Sequence, residues 1–220
     1  MNRPESIQNI LKTLDLYNKE KIPELERYCS NTDTYDFTAF TALMKIYQIN
    51  PELLNIDIVS LLLIKALVFF KESDFILLAH LLPPYVLFEE SNDKLSVSTK
   101  SLYSSYKALN NAEFTNFWTI IKANDSIKTL DSFESNVRVE ILKVIQGTCH
   151  SLSKDLLFEY LNISSMDELN AIDPNAELVE GDIVKFHNTV EQEPKLASQT
   201  ESVKFEDFSK LFAHAAATNS

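Results

Sequence analysis

The tract from Leu25 to Leu67, LERYCSNTDTYDFTAFTALMKIYQINPELLNIDIVSLLLIKAL, constrains the fold more than any other part of this chain. Phe40, Leu43, Met44 and Tyr47 recur at i, i+3, i+4 and i+7, the spacing that lines one face of an α-helix. An Asn-Pro corner follows. Asn50 suits a helix cap, Pro51 a first helical position and Glu52 the positive end of a helix dipole, so the corner is expected to open the next helix. The apolar run from Ile56 to Phe70 is interrupted by Asp57, Ser60 and Lys65, and is shorter than the ~20 residues that a bilayer crossing needs. It reads as a buried core helix.

The same period organises the chain up to about Ala123. Ile7, Ile10, Leu11 and Leu14 form a first stripe, and a second helix is expected from Asn18 to Cys29 with Pro23 near its start. Ser73 and Asp74 would cap a helix from Phe75 to Leu82 that Pro83 and Pro84 end, and another helix is expected over Lys100 to Asn110. Phe114, Phe117, Trp118 and Ile121 repeat the helical spacing. Consecutive helices with short corners stack as antiparallel pairs, the arrangement of an irregular HEAT- or TPR-like array without a fixed sequence period.

The stripe lapses between Asn124 and Ser132, and beyond it the pattern changes. Three helices are expected. The first runs from Glu134 to Cys149 with Val137, Ile141, Val144 and Ile145 inward; the second is capped by Ser153; the third opens with the capping box Ser165…Glu168. DIVKF (Asp182 to Phe186) and ESVKF (Glu201 to Phe205) have strand character, so a two-stranded hairpin would follow, which is the winged-helix order. The expected fold is mainly α: a helical-repeat domain over residues 1–128, a winged-helix (PCI-like) domain over 129–205, and a terminal helix and tail over 206–220.

Composition narrows the function. Gly147 and Gly181 are the only glycines, where average usage of about 7% would give roughly fifteen. Phosphate-cradling loops need clustered glycines for positive φ and close backbone approach, so a P-loop or dinucleotide fingerprint is excluded. Net charge is −12, and residues 151–220 hold 13 acids against 5 bases. A chain that neutralises phosphates shows the opposite sign, so autonomous DNA binding is not expected. Asp167 and Glu168 stand at the start of the helix that a DNA-reading winged helix would insert, which points the same way. Cys29 and Cys149 are too few for a disulfide framework or a zinc site, and Met1–Glu5 is polar with no apolar stretch after it, so a cytoplasmic protein is expected.

No catalytic constellation is visible. Cys149 and His150 are adjacent, but neighbouring helix residues point about 100° apart and no third group orients them, so Cys149 reads as a small core residue. His80, His187 and His214 stand at no metal-ligand spacing, and the acids Glu89, Glu90 and Asp93 read as a solvated loop. Trp118 is read as core, with an interface anchor as the alternative. The surface singled out for partner binding comprises Ile183, Phe186, Val203 and Phe205 on the strands, and Phe208, Leu211 and Phe212 on the terminal helix. A short hairpin exposes strand edges on which another chain can dock, although the terminal helix could equally fold back over its own domain.

The segments LERYC, ALMKIYQINP and LLIKAL resemble, in this order and spacing, the k subunit family of eukaryotic translation initiation factor 3. ILKTLDLYN (Ile10 to Asn18), FTNFW (Phe114 to Trp118) and the tract from Phe133 to Leu161 extend the resemblance, which is weak over 83–109 and 188–200. The resemblance implies a non-catalytic scaffold subunit without cofactor or metal, bound to sister subunits and through them to the small (40S) ribosomal subunit. The l subunit would be the direct partner. The helical-array and winged-helix order also resembles scaffold subunits of the proteasome lid and the signalosome, which stand as the alternative.

Overall fold

The computed structural model describes residues 3–31, 35–70, 72–89, 93–123, 132–173, 177–179 and 182–186, with single positions 208, 212 and 214. The described residues are mainly helical, with a small antiparallel sheet near the C-terminus. Met1–Asn188 forms one compact unit and Thr189–Ser220 a second.

Helix α1 (Glu5–Lys12) buries Ile7 and Ile10 and stops at Thr13, where the chain turns extended and a 3₁₀ turn, Leu14–Tyr17, begins. The expected second helix is split. A 3₁₀ turn over Lys19–Lys21 precedes α2 (Ile22–Ser30), which has Pro23 in its first turn and buries Ile22, Leu25 and Cys29. In α3 (Phe37–Ile49), Asp36 caps the N-terminus by accepting the Ala39 N–H, and the predicted stripe of Phe40, Leu43, Met44 and Tyr47 is buried.

The Asn-Pro corner departs from expectation. Pro51 starts only a 3₁₀ turn (Pro51–Leu53), and the Asn50 side chain caps nothing ahead of it, donating back to the Ile46 carbonyl at 3.1 Å. The cap of the next helix is Asn55, whose Oδ1 accepts from the N–H groups of Asp57 and Ile58. Helix α4 (Ile56–Val68) is buried on all sides from Leu62 to Val68, and packs against α2, α3, α5, α7 and α9. Such a helix forms the centre of a fold.

Helix α5 (Asp74–Ala79) begins at Asp74, and Ser73 makes no capping bond. Pro84 does more than end a helix. It occupies the first turn of α6 (Pro84–Phe88), where its missing N–H costs nothing. Helix α7 (Lys94–Asn110) starts six residues ahead of the sequence expectation because Asp93 accepts the Ser96 N–H and caps it. It packs against α4, α6 and α8 (Phe114–Lys122), whose stripe of Phe114, Phe117, Trp118 and Ile121 is buried as predicted.

After residue 131 the order is α9 (Phe133–Thr148), β1 (Ser151–Ser153), α10 (Lys154–Leu161), α11 (Met166–Ile172), β2 (Glu177–Val179) and β3 (Ile183–Lys185). The sheet has three strands, not two, in the order β1-β3-β2 and antiparallel throughout. Ser153, expected to cap α10, is the last residue of β1 and makes no side-chain cap bond. Val184 pairs with Leu152 on one side and Leu178 on the other, and its side chain is buried. The strand expected at 182–186 pairs with Glu177–Val179 and Ser151–Ser153; its expected hairpin partner at 201–205, with Val203 and Phe205, lies outside the described residues. Half of the expected capping box forms: Ser165 Oγ accepts the Glu168 N–H at 3.3 Å, but the Glu168 carboxylate accepts from the Ser164 N–H, one residue before the cap.

One hydrophobic core runs from Ile7 to Phe186. Its junction between α8, α9 and α10 is cross-braced. Trp118 Nε1 donates to the Tyr160 carbonyl, Phe114 meets the Tyr160 ring edge-on at 5.5 Å, and Arg138 lies over the Trp118 ring at 5.4 Å. Arg138 also donates to the carbonyls of Leu161 and Asn162, closing the C-terminus of α10, where Asn162 takes the left-handed conformation that asparagine tolerates.

Candidate partner-binding surface

The sheet sets which side chains face outward. Along β3 the pattern is exposed, buried, exposed: Ile183 is 40% exposed, Val184 fully buried and Lys185 exposed. The strand is locked at both ends, because the Lys154 N–H donates to the Asp182 carbonyl and the Phe186 N–H to the His150 carbonyl. Asp182 sits at φ 57 in the turn before β3, a conformation Asp tolerates.

The predicted surface residues separate accordingly. Ile183 is outward. Phe186 is 6% exposed and belongs to the core, because it continues the inward register of Val184 two positions on. Phe208 and Phe212 are helical, one turn apart, and 46% and 73% exposed. Val203, Phe205 and Leu211 lie outside the described residues. Ile183, Phe208 and Phe212 therefore present large apolar groups to solvent.

Other exposed apolar residues escaped the sequence reading: Ile49 (59%), Leu77 (52%) and Val97 (55%). The available signal was phase. Each stands off the buried stripe of its own helix, at a position where periodicity calls for a polar residue.

The buried and half-buried titratable groups with hydrogen-bond partners brace the fold. Burial pushes the Cys29 thiol up to about 12 despite the nearby Lys65 ammonium, so it is inert as a nucleophile at neutral pH. Lys65 is itself buried; its Nζ donates to the Cys29 carbonyl at 2.7 Å and to the Asn31 carbonyl, where the last turn of α2 has unsatisfied acceptors. Cys149 is partly buried against the core and accepts from Thr148 Oγ1 at 3.7 Å. Asp36 is buried and held by Arg3 Nε and Nη2, at 2.7 and 2.8 Å, and by the Tyr28 hydroxyl at 3.1 Å. Burial opposes its charge, but the Arg3, Ala39 N–H and Tyr28 hydrogen bonds outweigh it and hold the carboxyl below its usual range. Tyr47 bonds Glu26 and Tyr35 bonds Asp74, and burial first and these carboxylates second raise both phenols.

Among the described residues no group of three or more His, Cys, Asp or Glu side chains could hold a metal ion, and no helix is long and apolar enough to cross a membrane. Asp93, from the acidic run expected as a loop, is a helix cap; Glu89 is exposed, and Glu90 lies outside the described residues. On α11, Asp167 and Glu168 are both exposed, so this helix offers a phosphate backbone repulsion.

Comparison with known proteins completes the picture. The sequence pattern of the CSN8/PSMD8/EIF3K family matches residues 53–173, from the turn before α4 to the end of α11. The chain belongs to this family. Eukaryotic translation initiation factor 3 subunit K of Yarrowia lipolytica is 33% identical, covering 95% of this chain and 93% of the relative. Subunit K of Pyricularia oryzae is 28% identical over 97% of this chain and 93% of its own. The Culex quinquefasciatus subunit K is 29% identical over 94% and 93%. The CSN8/PSMD8/EIF3K match spans the braced α8–α9–α10 junction, whereas the subunit K relatives extend the likeness over nearly the full chain, including the segments before residue 53 and after 173.

Proposed function

We propose that this chain is a non-catalytic scaffold subunit of eukaryotic translation initiation factor 3, acting in the initiation of protein synthesis through contacts with sister subunits. The near-full-length likeness to subunit K carries this reading. The geometry agrees with it: polar and titratable groups brace helices, and large apolar groups face outward. Association with the small ribosomal subunit runs through the assembly, in the cytoplasm.

In this reading residues 1–128 form a HEAT-like array and 129–205 a winged helix, with a terminal helix and tail over 206–220. The order helix, strand, helix, helix, strand, strand after residue 132 supports the winged helix. The direct partner is the l subunit, engaged through exposed apolar side chains, Ile183 in the first unit and, independently, Phe208 and Phe212 in the second. A native pull-down read by mass spectrometry tests the assignment. Initiation factor subunits and small-subunit ribosomal proteins are the expected companions, and recovery of proteasome-lid or signalosome subunits in their place would overturn it.

A further inference from the structure

Helices α1 and α3 lie side by side, and between them is a groove of about 220 Å³ lined by Leu11, Phe37, Thr38, Thr41, Ala42 and Lys45. The α3 members stand at i, i+1, i+4, i+5 and i+8, a stripe on the side of the helix opposite Phe40, Leu43, Met44 and Tyr47. Ile49, one turn beyond Lys45 and 59% exposed, continues that stripe. The floor is apolar, made by Leu11, Phe37 and Ala42, and the polar group at one end is an ammonium.

Two observations decide what fits. The volume is below the ~300–1,000 Å³ of sites that enclose small molecules, and suits one inserted apolar side chain. The charge is the second. This chain has 32 acids against 20 bases, and Lys21, Lys94 and Lys143 each pair with a carboxylate. Lys45 has no acceptor among the described residues, and neither does Lys12, which follows Leu11 in the last turn of α1. Apolar positions about two helical turns apart, Ala42 and Ile49, with an unpaired cation between them are the complement of an amphipathic acidic helix.

We propose that the α1–α3 groove receives an amphipathic helix of a sister subunit. One apolar side chain enters between Leu11, Phe37 and Ala42, and a carboxylate three or four positions away meets Lys45. A second apolar residue of that helix covers Ile49. This contact uses none of the residues of the sheet or the terminal helix, and it rests on the assembly reading above.

The test places a photo-reactive phenylalanine at the exposed Thr38 and irradiates the assembled initiation factor. The expected product joins Thr38 to a sister-subunit segment that carries an apolar residue with Asp or Glu three or four positions away. A synthetic peptide of that segment then binds wild-type chain, and Lys45→Glu weakens it about tenfold at low salt while Lys45→Arg does not. Reversing the peptide's carboxylate to lysine restores binding to the Lys45→Glu chain. Unchanged thermal melting of both variants shows that the fold is intact. A cross-link to a second copy of this chain, to ribosomal RNA or to a basic segment overturns the proposal, as does an assembled factor with no cross-link at all. If the wild-type chain does not enter the factor, the assembly reading falls, and this inference with it; if it enters without the cross-link, only the groove is refuted.

Discussion

The indole Nε1–H of Trp118 donates to the main-chain carbonyl of Tyr160 at 2.8 Å, tying α8 to α10 across 42 residues of sequence. The indole is 3% exposed and has Arg138 over its ring, so one side chain joins three helices. Replacing Trp118 by Ala is expected to cost about 3–5 kcal/mol in urea unfolding. Trp118→Phe keeps most of the packing and loses the hydrogen bond, for about 1 kcal/mol from that bond. A loss below about 1 kcal/mol for the alanine variant would contradict the brace.

Ser96 and Ser105 are both fully buried on α7, but only Ser105 is satisfied, donating to the Ser101 carbonyl at 3.0 Å. A buried hydroxyl without a partner costs about 1–3 kcal/mol. Ser96→Ala should therefore raise the urea midpoint, by the equivalent of about 1 kcal/mol, and Ser105→Ala should show no such gain. Equal shifts in the two variants would refute the difference.

Ala112 adopts φ 59 just past the end of α7. The bonds from Glu113 N to the Ala108 carbonyl (2.8 Å) and from Ala112 N to the Leu109 carbonyl (3.1 Å) form a Schellman motif, which favours glycine at this position. A left-handed L-residue costs roughly 1–2 kcal/mol, partly offset by glycine's greater freedom when unfolded. Ala112→Gly is expected to raise the melting temperature by a few degrees, and Ala112→Val to lower it.

Asp36 couples stability to acid. Its folded carboxyl titrates below its unfolded value, so the unfolded chain takes up the proton first as pH falls. The stabilisation is full above about pH 4 and is lost as pH drops through the lower folded value. Removing its partner with Arg3→Ala leaves a buried carboxylate short of two hydrogen bonds, and should cost about 1–3 kcal/mol at pH 7. Arg3→Ala should also flatten the stability profile below about pH 4, measured by urea unfolding at each pH. An unchanged profile would show that the clamp does not form in solution.

Phe208 and Phe212 test the terminal helix as a docking surface. Both are exposed, so the double change to Asp should leave the melting temperature within a few degrees while abolishing co-purification with the l subunit. Retention of that partner at wild-type yield would exclude the helix as its contact.

Sequence alone determined what depends on neighbours along the chain. The stripes of α3 and α8 follow from a 3.6-residue period, the Ser165 cap of α11 from a serine just ahead of the helix, and the exclusion of phosphate loops from two glycines. Tertiary structure decided what depends on distant partners. Ser151–Ser153 is a strand only because β3 lies beside it, and three residues carry too little alternation to announce that. Asn55 rather than Asn50 caps α4 because α3 continues to Ile49 and draws the Asn50 amide back to its own last turn. Lys65 is tolerated inside the core because the end of α2 supplies carbonyls 34 and 36 residues away in sequence. Ile183 and Phe186 look alike in sequence, but strand register turns the first outward and the second into the core.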